Sequence, residues 1–181
     1  MTPKPDTLLP AEGLTHDIGI CFAALEEVRA QLRDAVVEMP DDLIARHAAA
    51  GAHPIAALLL HIGEAEWWWM QCVIAGHELT EDDKRALYWD VLLDEGDFAR
   101  HGYSARRCLE VIDRIRTQTR DVLAKLEDGD LDRLFFQKQA RDDMQVSLRW
   151  TLHHLVDHEA QHKGQILLLK RLLNGSQESG V

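Results

Sequence analysis

The sequence predicts an all-α protein, a four-helix bundle with long crossover loops. Three observations carry that expectation. Apolar residues recur at three- and four-residue spacing through four long stretches. Helix start and stop residues bound those stretches. No run alternates with the two-residue period of a sheet over any sizeable length. The chain has 181 residues, 46% of them apolar, which suits one domain (1–181) able to bury a core of its own. Its helical core is expected over about 11–173, with a short flexible polar tail, 174–181.

Pro10 suits the first turn of a helix, and the first stretch runs from Ala11 to Met39. Ile18, Phe22, Leu25, Leu32 and Val36 form its apolar stripe, and Met39-Pro40-Asp41 closes it. The run RHAAAGAHP reads as a loop. Pro54 opens a second helix to about Ala75, with Gly76 as the stop. A polar segment with short helical pieces covers roughly Thr80 to Arg100. Ser104 is a good N-cap for a third helix, Ala105 to Leu126, ended by Asp128-Gly129. The segment LDRLFFQKQARDDMQVS is too irregular for a helix; Phe135 and Phe136 before a polar turn suit a short β-hairpin or an extended crossover. Ser147 caps the last helix, Leu148 to Leu173, which Asn174-Gly175 should end. The basic stretch RRCLEVIDRIRTQTR is interleaved with acids and reads as a solvated helix face. In the run WWW, Trp69 belongs to a core seam, Trp68 suits a pocket edge or subunit contact, and Trp67 lies on the far side as an interface residue.

Net charge is −11, which argues against nucleic acid or an anionic membrane as the main partner. Cys21, Cys72 and Cys108 are odd in number and far apart, so neither a disulfide framework nor a thiolate zinc site is indicated. MTPKPDTLLP has prolines where a signal peptide would have an apolar core. A cytoplasmic protein is expected.

The last helix carries the chemistry. Its seam runs Leu148, Leu152, Leu155, Glu159, His162, Ile166, Leu169, Leu173. A carboxylate or imidazole on a buried seam costs free energy unless it has a partner or a metal. His158 and His162, one turn apart, point to one side of the helix, where a divalent ion can bridge them. His154 extends the row toward the stripe edge and suits a supporting role. His153 points elsewhere, to the surface. On the second helix, His61 flanks the seam of Ile55, Leu58, Leu59, Ile62, Trp69 and Val73, and Glu66 falls within it. Two facing helices can bring His61 opposite the His158–His162 pair; a boundary histidine bonded to a backbone carbonyl is the competing reading. Glu66 and Glu159 are candidates for a catalytic role as hydrogen-bond acceptors or proton carriers beside a metal.

Residues 158–162, HEAQH, fit the H-E-x-x-H zinc signature of metalloproteases. A protease needs a third ligand downstream, and the chain does not supply it. Gln165 and Leu168 stand where one type has Gly and His, and the only later Glu is Glu178 in the terminal SQESGV. A zinc protease is disfavoured.

LLLHIGEAEWWW and SLRWTLHHLVDHEAQHKGQI, above all H-x-x-x-H-[KR]-G-Q, resemble the DinB/YfiT-like family of metalloenzymes, over about Ala11 to Leu173. The resemblance implies a four-helix bundle, often dimeric, with one divalent metal, zinc or nickel, held by His61, His158 and His162. His154 and Gln165 match signature positions without a direct ligand role. It also implies a small-molecule substrate and thiol-dependent transferases among the relatives, so a metal-dependent transferase or hydrolase using a low-molecular-weight thiol is expected. The alternative is a non-catalytic metal-binding or structural dimer linked to stress response. Lys163, where relatives often have Arg, and Gln161, where they often have His, are departures that leave the triad intact.

Overall fold

The computed structural model describes residues 7–89, 91–92, 103–136 and 145–178. Four long helices dominate: α1 (His16–Val36), α3 (Ile55–Trp67), α5 (Ala105–Leu123) and α6 (Leu148–Glu178). Two short helices, α2 (Asp41–Ile44) and α4 (Glu81–Leu87), lie in the connections, and β1 (Leu134–Phe136) pairs antiparallel with β2 (Gln145–Ser147). Among the described residues, no helix is long and apolar enough to cross a membrane.

The local rules mostly hold. Ser104 Oγ accepts a hydrogen bond from Arg107 N at the start of α5, and Ser147 Oγ accepts one from Trp150 N at the start of α6. Thr80 and Asp83 form a reciprocal capping box on α4. Gly76 takes φ +75°, the left-handed conformation a helix stop requires.

The differences have physical causes. Helix α1 starts at His16 rather than Ala11, because Gly13 turns the chain with φ +78° and a distant residue supplies the cap. Asp128 Oδ1 accepts from Thr15 Oγ1 and from the backbone N–H of Asp17 and Ile18. Helix α6 runs through Asn174-Gly175 to Glu178, since Gly175 does not take positive φ there. The tail beyond Glu178 lies outside the described residues. The second helix is not α-helical to its end: Trp68–Ile74 form a π-helical continuation of α3. The expected helical pieces of Thr80 to Arg100 include α4, but residues 90 and 93–100 lie outside the described residues.

Helix α3 packs against α5 and α6, and α1 packs against α6 and α5. The ring of neighbours is therefore α1–α6–α3–α5, and the chain crosses the bundle diagonally from α1 to α3 and again from α5 to α6. The core has two apolar halves. One contains Leu32, Val36, Ile55, Leu59, Ile112 and Ile166; the other contains Ile18, Leu25, Met70, Leu123, Leu148 and Leu152. Helices α1 and α6 start in the second half and end in the first, while α3 and α5 run the opposite way. Adjacent helices thus pair parallel, α1 with α6 and α3 with α5, which requires the long connections.

Between the halves lies a buried layer of charge contributed by all four long helices. Arg29 (α1) and Arg116 (α5) face Glu66 (α3) and Glu159 (α6), each residue no more than 5% exposed. Arg29 reaches Glu159 through Nε and a terminal nitrogen, Glu66 at 2.9 Å, and the Ile112 carbonyl at 3.0 Å. Arg116 donates to both Glu66 oxygens, at 2.7 and 3.1 Å, to Glu159 at 2.9 Å, and to Glu26 at 2.8 Å. Thr119 donates to Glu66 at 2.7 Å. Two guanidinium and two carboxylate groups balance to zero formal charge, the condition for burying ions at tolerable cost. The basic stretch of α5 is therefore not wholly a solvated face: Arg106, Arg107 and Arg114 are exposed, but Arg116 is part of the interior. Likewise Trp67 is buried at 6% exposure, edge-on to His77, rather than an interface residue.

Burial by itself raises the Glu66 pKa, but the Arg116 and Arg29 charges and the hydrogen bonds from Arg116 and Thr119 outweigh it and lower it from 4.5 to about 2. The unfolded chain takes up this proton near pH 4.5, whereas the folded protein resists it to about pH 2. The stabilisation is therefore complete above pH 4.5 and lost as pH falls toward about 2. Urea midpoints at pH 7, 4 and 3 should decline in that order.

Gly63 sets the closeness of α3 and α5. A Cβ there would lie 2.9 Å from both Ile112 Cγ2 and Ile115 Cδ1. Gly63→Ala should destabilise by about 1–3 kcal/mol through overpacking, despite alanine's better helix propensity, as thermal melts would show.

Candidate metal centre

The two histidines of α6 and the one of α3 meet on the side of the bundle where those helices pack together. His61, His158 and His162 each present one nitrogen within 4.8 Å of the other two. Their ring centroids are 5.2, 5.1 and 4.5 Å apart, and all three rings are half-buried. This is the triad expected from the sequence, and it is the one cluster of three or more potential metal-ligating side chains among the described residues.

Two rings are held by neighbours one turn along. His162 Nδ1 lies 2.9 Å from Gln165 Oε1, and His61 Nδ1 lies 3.3 Å from Glu64 Oε2. With the proton on Nδ1, each ring donates there and keeps its Nε2 lone pair for the centre of the triad. Gln165, named from the sequence as a signature position without a ligand role, is thus the hydrogen-bond partner of His162. Glu64 was not singled out from the sequence, although its i+3 spacing from His61 was the available signal.

The His158 and His162 Nε2 atoms are 3.2 Å apart. Two nitrogens on one ion at about 2.1 Å would be separated by about 3.0 Å at a right angle and about 3.4 Å at the tetrahedral angle. The spacing thus fits two ligands of one ion. Burial holds the His158 pKa down, and the nearby His162, His61 and His154 lower it further, to about 3. Burial also lowers that of His162, against the raising effect of its bond to Gln165. His158 is therefore a neutral ring with a lone pair at neutral pH, the form that binds metal. Three neutral imidazoles suit a divalent cation and leave coordination positions open.

The remaining candidates lie around this centre. His154 continues the row, 5.9 Å from His158 by ring centroid, and stacks on Trp150. His153 is exposed. Glu66 and Glu159 share the helices of the triad but point into the arginine layer, where their hydrogen bonds go to Arg29, Arg116 and Thr119. Arg29 and Arg116 were missed. For Arg29 the signal was positional: it fills the stripe of α1 between Leu25 and Leu32. Glu178 lies on the same helix as the HEAQH motif, sixteen residues beyond His162 or about 24 Å along the axis, so it cannot return as the third ligand of a protease-type site.

Comparisons with known proteins agree with this architecture. Residues 21–175 match the family model described as mycothiol-S-transferase. No curated protein sequence matches the chain. Among solved structures, the fold is similar to YfiT from Bacillus subtilis, described as a probable metal-dependent hydrolase with an unusual four-helix bundle topology. That match has a TM-score of 0.62 at 18% identity, covering 95% of this chain and 94% of the other. It is also similar to a conserved protein from Enterococcus faecalis, with a TM-score of 0.64 at 14% identity over 86% of this chain and 96% of that one.

Proposed function

The chain belongs to the mycothiol-S-transferase family, and from that premise we propose that it is a divalent-metal-dependent transferase that joins a low-molecular-weight thiol to an electrophilic carbon. The observation that carries the reading is the convergence of His61, His158 and His162 on one point, half-open to solvent. Zinc or nickel held there would supply a Lewis acid that keeps a small thiol deprotonated near neutral pH. The triad nitrogens hold the ion, while Glu64 and Gln165 keep the His61 and His162 rings turned toward it.

The chain's own cysteines support an external thiol. Burial raises the Cys72 pKa to about 11, the Cys108 pKa to about 12, and that of Cys21 above its usual value. None of these cysteines belongs to the His61–His158–His162 cluster and burial disfavours their thiolates, which supports a reacting sulfur that arrives with a cosubstrate. Mycothiol is the first candidate because the family carries its name. In the transfer the S–H proton passes to solvent, the S–C bond forms, and the leaving group departs with its bonding pair.

The test is an S-conjugation assay of zinc- and nickel-loaded protein, with mycothiol, cysteine and glutathione each offered to 1-chloro-2,4-dinitrobenzene. Thiol-dependent release of chloride above the uncatalysed rate, lost in His158→Ala, is the expected result. Metal-loaded protein that neither binds nor uses any thiol would overturn the transferase reading and favour a non-catalytic metal-binding protein.

A further inference from the structure

Helix α6 is covered by the bundle on one side only. Its seam of Leu155, Glu159, Ile166 and Leu173 is buried, and Lys163 and Lys170 donate to Gln31 and to the Ala35 carbonyl of α1. The opposite side leaves apolar surface in solvent: Leu167 is 39% and Leu168 56% exposed. At 100° per residue, these two share an arc of about 100° with Asp157, Ala160, Gly164 and Arg171, centred nearly opposite the buried seam. Asp157, Gly164 and Arg171 are exposed, and Ala160 is half-buried.

Gly164 is the odd residue of this face. A glycine inside a helix is destabilising relative to alanine, and it is useful where another backbone or side chain must come close. Gly63 meets that need within the chain, against Ile112 and Ile115. Gly164 does not: outside its own helix, a Cβ there would meet no described atom within 4 Å. The described chain supplies no neighbour that requires a glycine at this point.

The residues around Gly164 select a second copy of this chain as that neighbour. Asp157 stands seven residues before Gly164 and Arg171 seven after it. A second α6 laid antiparallel, about a two-fold axis through Gly164, sets residues equally far before and after the glycine opposite each other. Asp157 then faces Arg171 of the second copy, and Arg171 faces its Asp157. The crossing carries two ion pairs, each about 10 Å from the centre along the helix. Ala160 falls opposite Leu168, so a small residue receives a large one on either side of the paired glycines. A parallel pairing in register would set Asp157 against Asp157 and Arg171 against Arg171, which is repulsive. A partner of unrelated sequence would not call for this symmetry.

We propose that two copies of the chain associate through the outer face of α6, antiparallel and crossing at Gly164. The inference does not depend on the thiol-transfer reading. His158 and His162 lie at least about 120° round the helix from Gly164, so the crossing takes no ligand from the metal centre.

The test is sedimentation equilibrium of the zinc-loaded protein, with far-UV circular dichroism of each variant. Wild type should be a dimer. Arg171→Asp sets a second carboxylate against Asp157 and should weaken association at least about tenfold. The double variant Asp157→Arg, Arg171→Asp exchanges the charges across the axis and should restore the dimer. Gly164→Leu should dissociate it, because a side chain at the crossing holds the helices apart, without loss of helix in the monomer. In Gly164→Cys the new thiols meet on the axis and should cross-link under mild oxidation. Wild type, with only Cys21, Cys72 and Cys108, should not. A wild type that is monomeric at every concentration overturns the proposal. So does a dimer that Arg171→Asp leaves as tight as before, or a folded double variant that stays dissociated. Should the double variant misfold, failure of Gly164→Cys to cross-link decides against the crossing.

Discussion

His158→Ala should leave the folded protein without stoichiometric metal. The three rings form a nearly equilateral triangle, with His158 5.2 Å from His61 and 4.5 Å from His162 by centroid. Removing His158 leaves His61 and His162 on separate helices with no third nitrogen between them. Loss of a ligand-orienting neighbour typically costs about 10–100-fold in metal affinity, and loss of a ligand should cost at least about 100-fold. Elemental analysis of purified wild type should find about one zinc or nickel per chain, and none in His61→Ala, His158→Ala or His162→Ala. Glu64→Ala should fall between, about 10–100-fold weaker, because it frees the His61 ring without deleting a nitrogen. Far-UV circular dichroism should stay helical throughout, since the rings are only half-buried. A wild type that folds normally and binds no divalent ion would sink the site.

Arg29→Ala should strongly destabilise the protein by opening the charged layer. Arg29 is 4% exposed and donates to Glu159, Glu66 and the Ile112 carbonyl. Its loss leaves two buried carboxylates sharing Arg116 alone, and a cavity where the side chain lay. Breaking a buried pair from one side costs about 3–5 kcal/mol. For a chain of this size that corresponds to roughly 6–20 °C in Tm. Arg29→Lys should recover only part of it, because an ammonium cannot present the guanidinium fork that serves two carboxylates and a carbonyl together. Differential scanning calorimetry of the three proteins would show the order wild type, Lys, Ala. Equal melting temperatures for wild type and Arg29→Ala would mean that the layer contributes nothing to stability.

These two experiments separate features that stand side by side in the chain. His158 and Glu159 are neighbours in sequence, yet one faces the triad and the other the arginine layer. From the sequence Glu159 reads as a partner of the metal, because it lies between two histidines on a polar break in an apolar seam. The same reasoning finds the polar break without finding what fills it. Acceptance by a metal-bound group and acceptance from a guanidinium make the same demand on a seam residue, a buried hydrogen-bonding partner. Only the approach of α1 and α5 decides which one is met.

Much of the fold was legible because it follows from periodicity and end chemistry. The stripes of α1, α3 and α6 are buried where spacing places them. Ser104, Ser147 and Gly76 act as caps and stop through short-range hydrogen bonds and φ values. The misses share a cause. The start of α1 depends on Asp128, more than a hundred residues away. The π-helical turn at Trp68–Ile74 and the burial of Trp67 and Arg116 depend on which helix lies opposite.

The sequence by itself determined the helical class, the polar interruptions of the seams and the two histidines one turn apart on α6, all of which are set within a few turns of one helix. The tertiary structure decided the parallel pairing of α1 with α6 and of α3 with α5, the arrival of His61 at the α6 pair, and the closure of Arg29, Arg116, Glu66 and Glu159 into one neutral layer. Those outcomes depend on distances between helices remote in the chain, and the free energy of a buried charge or a metal ligand is set by such distances rather than by its neighbours in sequence.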